Sequence, residues 1–561
     1  MTIEYPVEQK VPKAFPKVQP KGKTALINYP IATVDQVIEK TLKYSAEAKE
    51  DPYVFDKPIK RVAVIGAGAA GLPTAKALKE QGMEVRIFER MEDVGGIWLY
   101  SEEIDEKPRI PCDTYRTREK PSPQEETIVE ATKQEKLNKR KHAPPSACYP
   151  DLHNNTAAPL MMDFQDFPWP EGTSWYVPHN EVQHYFKNYV KHFGLYDIME
   201  LNTSVDYVER NNDKNRGHPW TLTLRKAEYM EDRTKIRYKT WTESFDAVAV
   251  ASGAYNDPFL PDFKDLQQYN INYPEKILHS KQYRHYQDYI GKNVLIVGGN
   301  ISAIEIAQRL DGIANNVYMS MRGPFESISN ILNLARSVLP DDTIRKPNIR
   351  SFSDAKGEVN GSITFEDDSV IGHIDQVIFC TGYVNDLGFL GPLRAYGTTD
   401  PDADKEEEEI EGPLVITNGM RPINTYRDIF AIRDPTLAFV GTPGHLTSVQ
   451  LFYYQAQAVA RVWAGLAWLP SRSKMRQFLK TYMYPFPPFD MNLLGCLLFS
   501  QPFVTWLNEH AKYHDDKHIE TIKSVDPALL DLWDEIKEQY KKRTAEILAK
   551  RDTLPTIKTS P

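Results

Sequence analysis

A β-branched run that stops on three spaced glycines limits this chain to a small set of folds. Lys60-Arg-Val-Ala-Val-Ile65 reads as a buried strand, and residues 72–81 show helical spacing. Between them lies Gly66-Ala-Gly68-Ala-Ala-Gly71, with Ala69 and Ala70 completing the turn. Glu84 to Phe88 supplies a second strand, so the segment opens a βαβ unit. Such glycines permit a tight turn, close backbone approach to a pyrophosphate, and close packing of helix on strand. The pyrophosphate would lie on free N–H groups at the helix N-terminus. Glu89 closes the second strand, placed to accept from ribose hydroxyls, with Arg90 beside it.

The pattern recurs. Asn293-Val-Leu-Ile-Val297 is a strand, a helix is predicted from Ser302 to Leu310, and Asn316 to Met321 forms the next strand. The turn Gly298-Gly-Asn300-Ile-Ser302-Ala303 carries Asn300 at the middle glycine and Ala303 at the third, a substitution the fingerprint tolerates. Where an acid would select NAD, the chain has Ser320-Met-Arg322-Gly. A hydroxyl and a guanidinium suit a 2′-phosphate through charge-assisted hydrogen bonds, which favours NADPH. A solvated surface arginine is the alternative for Arg322. Two dinucleotide folds in one chain imply hydride transfer from NADPH to FAD.

The expected fold is therefore α/β, with two Rossmann-type dinucleotide-binding domains and the NADPH domain inserted in the FAD domain. The expected order begins with an N-terminal arm (1–55) and the leading segment of the FAD domain (56–256). The NADPH domain (257–372), the returning segment of the FAD domain (373–480) and an aromatic, helical extension (481–561) follow. Residues 116–145 read as a charged, solvated insertion that is partly helical, and Asp402 to Glu411 as an acidic surface loop. Asp526-Pro527 offers an N-cap and N1 proline for a helix reaching Lys550. At 561 residues, more than one core is required.

Composition removes several function classes. The net charge of −9, with no concentrated basic patch, argues against a nucleic-acid partner. Cys112, Cys148, Cys380 and Cys496 are far apart; no CxxC exists, which argues against a dithiol centre or zinc, and no metal is expected. Met1 to Pro6 shows no basic region followed by an apolar run, and Leu493 to Leu507 is broken by Ser500, Gln501 and Pro502. A cytoplasmic protein without a transmembrane segment is expected, with Leu493–Leu507 a buried helix-turn or interfacial patch. The aromatic stretch Tyr482 to Phe489 reads as core packing, with a pocket or a homodimer face as alternatives.

With these motifs placed, the chain resembles the flavin-containing monooxygenases, fungal and yeast-like members above all, over about Arg61 to Arg476. Gly95-Gly96-Ile97-Trp98 stands where the family has a second flavin-contacting glycine segment. Asp166-Phe-Pro-Trp-Pro170 resembles its DFPFP stretch. Ala251-Ser-Gly-Ala-Tyr255 and Phe379-Cys-Thr381-Gly382-Tyr383 resemble the segments linking the FAD and NADPH domains. The identifying motif FxGxxxHxxxY is matched at His279 and Tyr283, while Tyr273 replaces Phe and Glu275 replaces Gly. The resemblance implies domain linkage and NADP positioning for His279. The family's stretch YxxLxTNxPxxxM aligns with Tyr149 to Met162 and selects Asn155 as the catalytic asparagine, with Asn154 the alternative.

The resemblance implies an enzyme that takes a small-molecule substrate and O2, forms a C4a-hydroperoxyflavin, and oxygenates a soft nitrogen or sulfur. Such a site must be dry and covered by retained NADP+. Baeyer–Villiger oxidation of a ketone is the runner-up; those relatives usually carry Trp where Tyr283 stands. N-hydroxylation of an amino acid is a third reading. From other classes, a flavin disulfide reductase lacks its CxxC here, and a non-catalytic flavoprotein is the remaining alternative.

Overall fold

The computed structural model describes residues 34–112, 118–153, 156–211, 217–327, 329–397, 412–442, 448–481, 493–514 and 519–553. Most of the N-terminal arm, the acidic run 402–411, the stretch Tyr482–Phe489 and both Asn154 and Asn155 lie outside the described residues.

Two parallel sheets organise the chain. The first has seven strands in the order Thr425–Tyr426, Phe430–Ala431, Leu437–Phe439, Ala247–Val250, Arg61–Ile65, Glu84–Phe88, Met199–Glu200. Those from Leu437–Phe439 onward are parallel. Val62, Ala63 and Val64 are completely buried, as a strand covered on both faces requires. The helix Gly71–Glu80 packs on Ser448–Trp463, which returns late in sequence to complete this unit. The second sheet has five parallel strands in the order Ile277–His279, Gln376–Phe379, Asn293–Val297, Asn316–Ser320, Ile344–Lys346. In each sheet the strand before the glycine turn lies between the next strand in sequence and one that returns much later. The turn thus sits at a topological switch point, the crevice where α/β sheets bind ligands.

Four expectations change. Gln376–Phe379 pairs with Asn293–Val297, so the second unit reaches at least Phe379 and does not end at 372. The charged stretch 116–145 holds, besides the expected helix (Lys133–His142), a strand, Gln124–Glu130, on the edge of a four-stranded antiparallel sheet. The β-branched run Thr127, Ile128 and Val129 favours pairing despite the charge. Leu493–Ala511 is one helix running through Pro502, not a broken helix-turn. Asp526 accepts from the N–H of Ala528 and caps a short 3₁₀ turn, Pro527–Leu530; the long helix starts afresh at Trp533 and ends at Thr553.

The units are tied together by His279. Its Nε2–H donates to the Gly382 carbonyl (3.0 Å), while Nδ1 accepts from the Lys281 N–H (3.2 Å). The Gly382 carbonyl also accepts from the Phe259 N–H (2.9 Å), so one oxygen joins both connections between the units. Burial pulls the imidazole pKa down to about 3. Below the usual value of about 6.5 the unfolded chain takes up a proton that the native state refuses. His279 therefore contributes stability above about pH 6.5 that is lost as the pH falls toward 3. Moving from about pH 7 to about pH 5 should cost wild type about 2 kcal/mol more than His279→Gln, whose amide can donate to the same carbonyl. Equal acid sensitivity in urea titrations of the two proteins would rule out this role.

Candidate functional site

The glycines of the first turn answer to different constraints. Gly66 has φ +105°, and a Cβ there would stand 2.5 Å from the Ala251 carbonyl oxygen. A Cβ on Gly71 would stand 1.9 Å from the Gly66 oxygen. Both are glycine because the protein's own backbone leaves no room. Gly68 is not: its φ is ordinary, and a Cβ would reach the Gly96 Cα only at 3.5 Å. Gly96, with φ +58°, faces it from the 3₁₀ turn Gly96–Trp98. Two side-chain-free backbones thus oppose each other beside the start of the helix Gly71–Glu80, whose N-cap, Ala70, supplies no side-chain hydrogen bond. This is a cradle for a group that needs backbone N–H contact, and an anionic pyrophosphate fits it. Ile97 is exposed and Trp98 packs partly buried on the first core.

Glu89 is buried at the rim of this turn. Its carboxylate accepts from the Ala67 N–H (2.7 Å) and the Met91 N–H (2.8 Å), and burial raises its pKa. With the Arg90 backbone also contributing, the carboxylate still has acceptor capacity for ribose hydroxyls. Arg90, next along, is half-buried.

The second turn repeats the first closely. Gly298 has φ +128°, and its Cβ would stand 2.4 Å from the Cys380 oxygen. Asn300 is the N-cap of Ile301–Leu310 in extended conformation, with no side-chain cap bond, so this helix end is also open. Ser302 lies in its first turn and Ala303 is buried beneath it. Ser320 differs from expectation. It is 1% exposed and its hydroxyl donates to the Pro347 carbonyl (2.7 Å), so it is turned into the protein and away from any 2′-phosphate. Arg322 is exposed and makes no ion pair among the described residues.

At the junction, His279 and Gly382 meet as described above, and the Thr381 hydroxyl donates to the Phe259 carbonyl. Tyr283 is 1% exposed, stacked on Tyr289 with centroids 5.7 Å apart and edge-on to Tyr149 at 5.3 Å. It is a core aromatic of the junction. Burial lifts its phenol pKa.

Several neighbours escaped the sequence reading. Lys281, 1% exposed, pairs with Asp105 (2.5 Å) and Asn256 (3.1 Å). Arg284 is 3% exposed and donates to five carbonyls, those of Ser101, Glu103, Ser146, Lys281 and Tyr283. Arg336 holds the Gly299 carbonyl through Nε and Nη2 (3.0 and 2.9 Å). Most of their partners are remote in sequence, so no local signal marks them. Gly441 did carry one, a glycine ending the apolar run Leu437-Ala-Phe-Val440; its Cβ would stand 3.0 Å from that of Ala70.

A family model described as FMO-like, flavin-binding monooxygenase-like, matches residues 59–110 and 136–344. The flavin-containing monooxygenase ustF2 of Aspergillus flavus is 31% identical over 440 residues, covering 74% of this chain and 84% of the relative. Senecionine N-oxygenase of Tyria jacobaeae is 29% identical over 415 residues, covering 74% of each chain. Among solved structures, S-allyl-L-cysteine S-oxygenase from Allium sativum shares the fold, with a TM-score of 0.61, 22% identity, and coverage of 88% of this chain and 98% of that one. With two glycine turns at two switch points and this likeness, the chain belongs to the flavin-containing monooxygenases, whose members use FAD and NADPH.

Proposed function

We propose that this monooxygenase uses NADPH and O2 to oxygenate a soft nitrogen or sulfur centre in a small molecule. The observation that carries the reading is the Gly68–Gly96 cradle paired with a second open helix end at Asn300, in a chain without a CxxC. The cradle and Glu89 would hold FAD; the turn at Gly298 to Ala303 and the exposed Arg322 would hold NADPH. Bound and reduced, the flavin would supply the oxygen-activating chemistry. The chain's own residues bind, orient and exclude water. Asn155 remains the proposed group beside the flavin, since an amide both donates and accepts without titrating.

Nitrogen is supported by the N-oxygenase among the relatives. Attack on a ketone would need a fixed donor for the tetrahedral oxyanion. Arg284 is a buried cation at the junction, and its guanidinium is already engaged with five carbonyls. That weighs against the Baeyer–Villiger alternative.

The cradle separates two glycine variants. Gly68→Ala should fold as apoprotein with near-native stability yet bind FAD at least about ten-fold more weakly, because the added methyl meets Gly96 only at ordinary contact distance (3.5 Å) but occupies the cradle. Gly71→Ala should fail to fold. Flavin titration and apoprotein melting check both; wild-type FAD affinity in Gly68→Ala would dismiss the cradle.

Losing a charge-assisted hydrogen bond costs about 1.5–3 kcal/mol, or about ten- to a hundred-fold in binding. Arg322→Ala should raise KM for NADPH by that factor and leave NADH within about two-fold. Ser320→Ala should leave the NADPH preference intact, since its hydroxyl faces Pro347. Equal losses with both nucleotides would give Arg322 a structural role.

A panel of substrates tests the chemistry. Tertiary amines or thioethers should give N- or S-oxide coupled to NADPH oxidation, with simple ketones at least about ten-fold lower in kcat/KM. Lactone or ester formation from ketones, with sulfides inert, would reverse the assignment.

A further inference from the structure

The C-terminal helix Trp533–Thr553 lies beyond the residues matched by the family model, yet it touches both units. Its first half belongs to the first core: Ile536 and Tyr540 are buried there, and the Ile536 carbonyl accepts from the Tyr176 hydroxyl (3.5 Å). Tyr540 meets Tyr176 edge-on at 5.6 Å. Its second half lies on the helix Ile301–Leu310, which opens at the second glycine turn. Arg543, 5% exposed, pairs with Glu305, 3% exposed, at 3.5 Å. Two turns on, Arg551 donates through Nη1 to the carbonyls of Gln308 (3.1 Å), Arg309 (3.4 Å) and Asp311 (2.6 Å). A guanidinium at a helix C-terminus satisfies orphan carbonyls and the negative end of the dipole.

The same helix is also held by first-unit residues. Tyr149, held protonated by burial, donates to Glu305 Oε2 (2.8 Å). Arg309 donates through Nε to Asp151 Oδ2 (2.7 Å) and through Nη2 to the Asp151 carbonyl (2.9 Å). Glu305 therefore stands between a first-unit tyrosine and a C-terminal arginine. Removing either partner of such a buried pair leaves an uncompensated charge.

We propose that Trp533–Thr553 is a positioning strap that fixes the helix Ile301–Leu310 on the first unit through Arg543 and Arg551. Resting on the monooxygenase reading above, the strap keeps electrons from NADPH directed into product. When coupled, NADPH, H+, O2 and substrate give NADP+, oxygenated substrate and water. When uncoupled, NADPH, H+ and O2 give NADP+ and H2O2. Loosening the strap moves turnover from the first balance to the second.

The test uses full-length Arg543→Gln, Arg543→Lys and Arg551→Ala, with FAD content measured for each. Arg543→Gln and Arg551→Ala should raise amide exchange across residues 301–310 by about ten-fold while the strands Arg61–Ile65 and Asn293–Val297 keep their protection. NADP+ affinity should fall by about three- to ten-fold, and peroxide formed per NADPH should rise by at least about three-fold. Arg543→Lys should recover part of each effect, because it restores the charge facing Glu305 at 3.5 Å but not the guanidinium plane over the Tyr540 ring (4.5 Å). Unchanged exchange and peroxide in both loosened variants would overturn the strap. So would loss of protection spread equally over both sheets with release of FAD, which marks general unfolding. If wild type oxidises no NADPH, the monooxygenase reading fails, while the exchange and NADP+ measurements still decide the strap.

Discussion

Both dinucleotide turns depend on one contact, a glycine pressed against the carbonyl of a strand that arrives from far along the chain. At Gly66 the carbonyl is that of Ala251; at Gly298 it is that of Cys380. The surrounding hydrogen bonds match in kind. The Gly66 and Gly298 N–H groups donate to Phe88 and Ser320, each at 2.8 Å. The Ala251 and Cys380 N–H groups donate to Ile65 and Val297, at 2.9 and 2.8 Å. Any side chain at either glycine would force the two strand ends apart, besides the strain of a positive φ. Closing this contact sets the crevice in which each helix N-terminus is left open.

That repetition explains why the fold was legible. The demand falls on residues adjacent in sequence: a β-branched run, a glycine, and a helix start. Gly71 is required by the Gly66 carbonyl just before it, and Gly66 and Gly298 by their own positive φ as well as by remote carbonyls, so the pattern is written in adjacent residues even though its cause is partly distant. The second strand of each unit follows for the same reason. The unit boundary was misplaced because Gln376–Phe379 pairs in the second sheet through partners dozens of residues away, and nothing in its own sequence says which sheet it joins.

The candidate site was legible only in part. The structure sets Gly68 against Gly96, holds Glu89 at the same turn and leaves Arg322 exposed after its strand. Ser320 is turned inward, because a strand residue's side chain goes to one face or the other by register, and here register turned the hydroxyl toward Pro347. Lys281 and Asp105 are separated by 176 residues, and Arg309 and Asp151 by 158. Charged residues read as surface by default, and only tertiary contact reveals them as buried partners.

These buried charges share a location. Apolar packing crosses the junction, with Ile331, Leu334 and Ala335 of the second unit buried in the first core, and beside it polar groups join the units: His279 on Gly382, Lys281 on Asp105, Arg284 on five carbonyls, Tyr149 and Arg543 on Glu305. An apolar junction tolerates sliding, since burial is non-directional. A junction of desolvated hydrogen bonds does not, because displacing any partner leaves a donor or charge unsatisfied. In a chain where one bound cofactor must present its reacting face to another, directional contacts are the kind that hold a relative orientation, and they cluster where the two units meet.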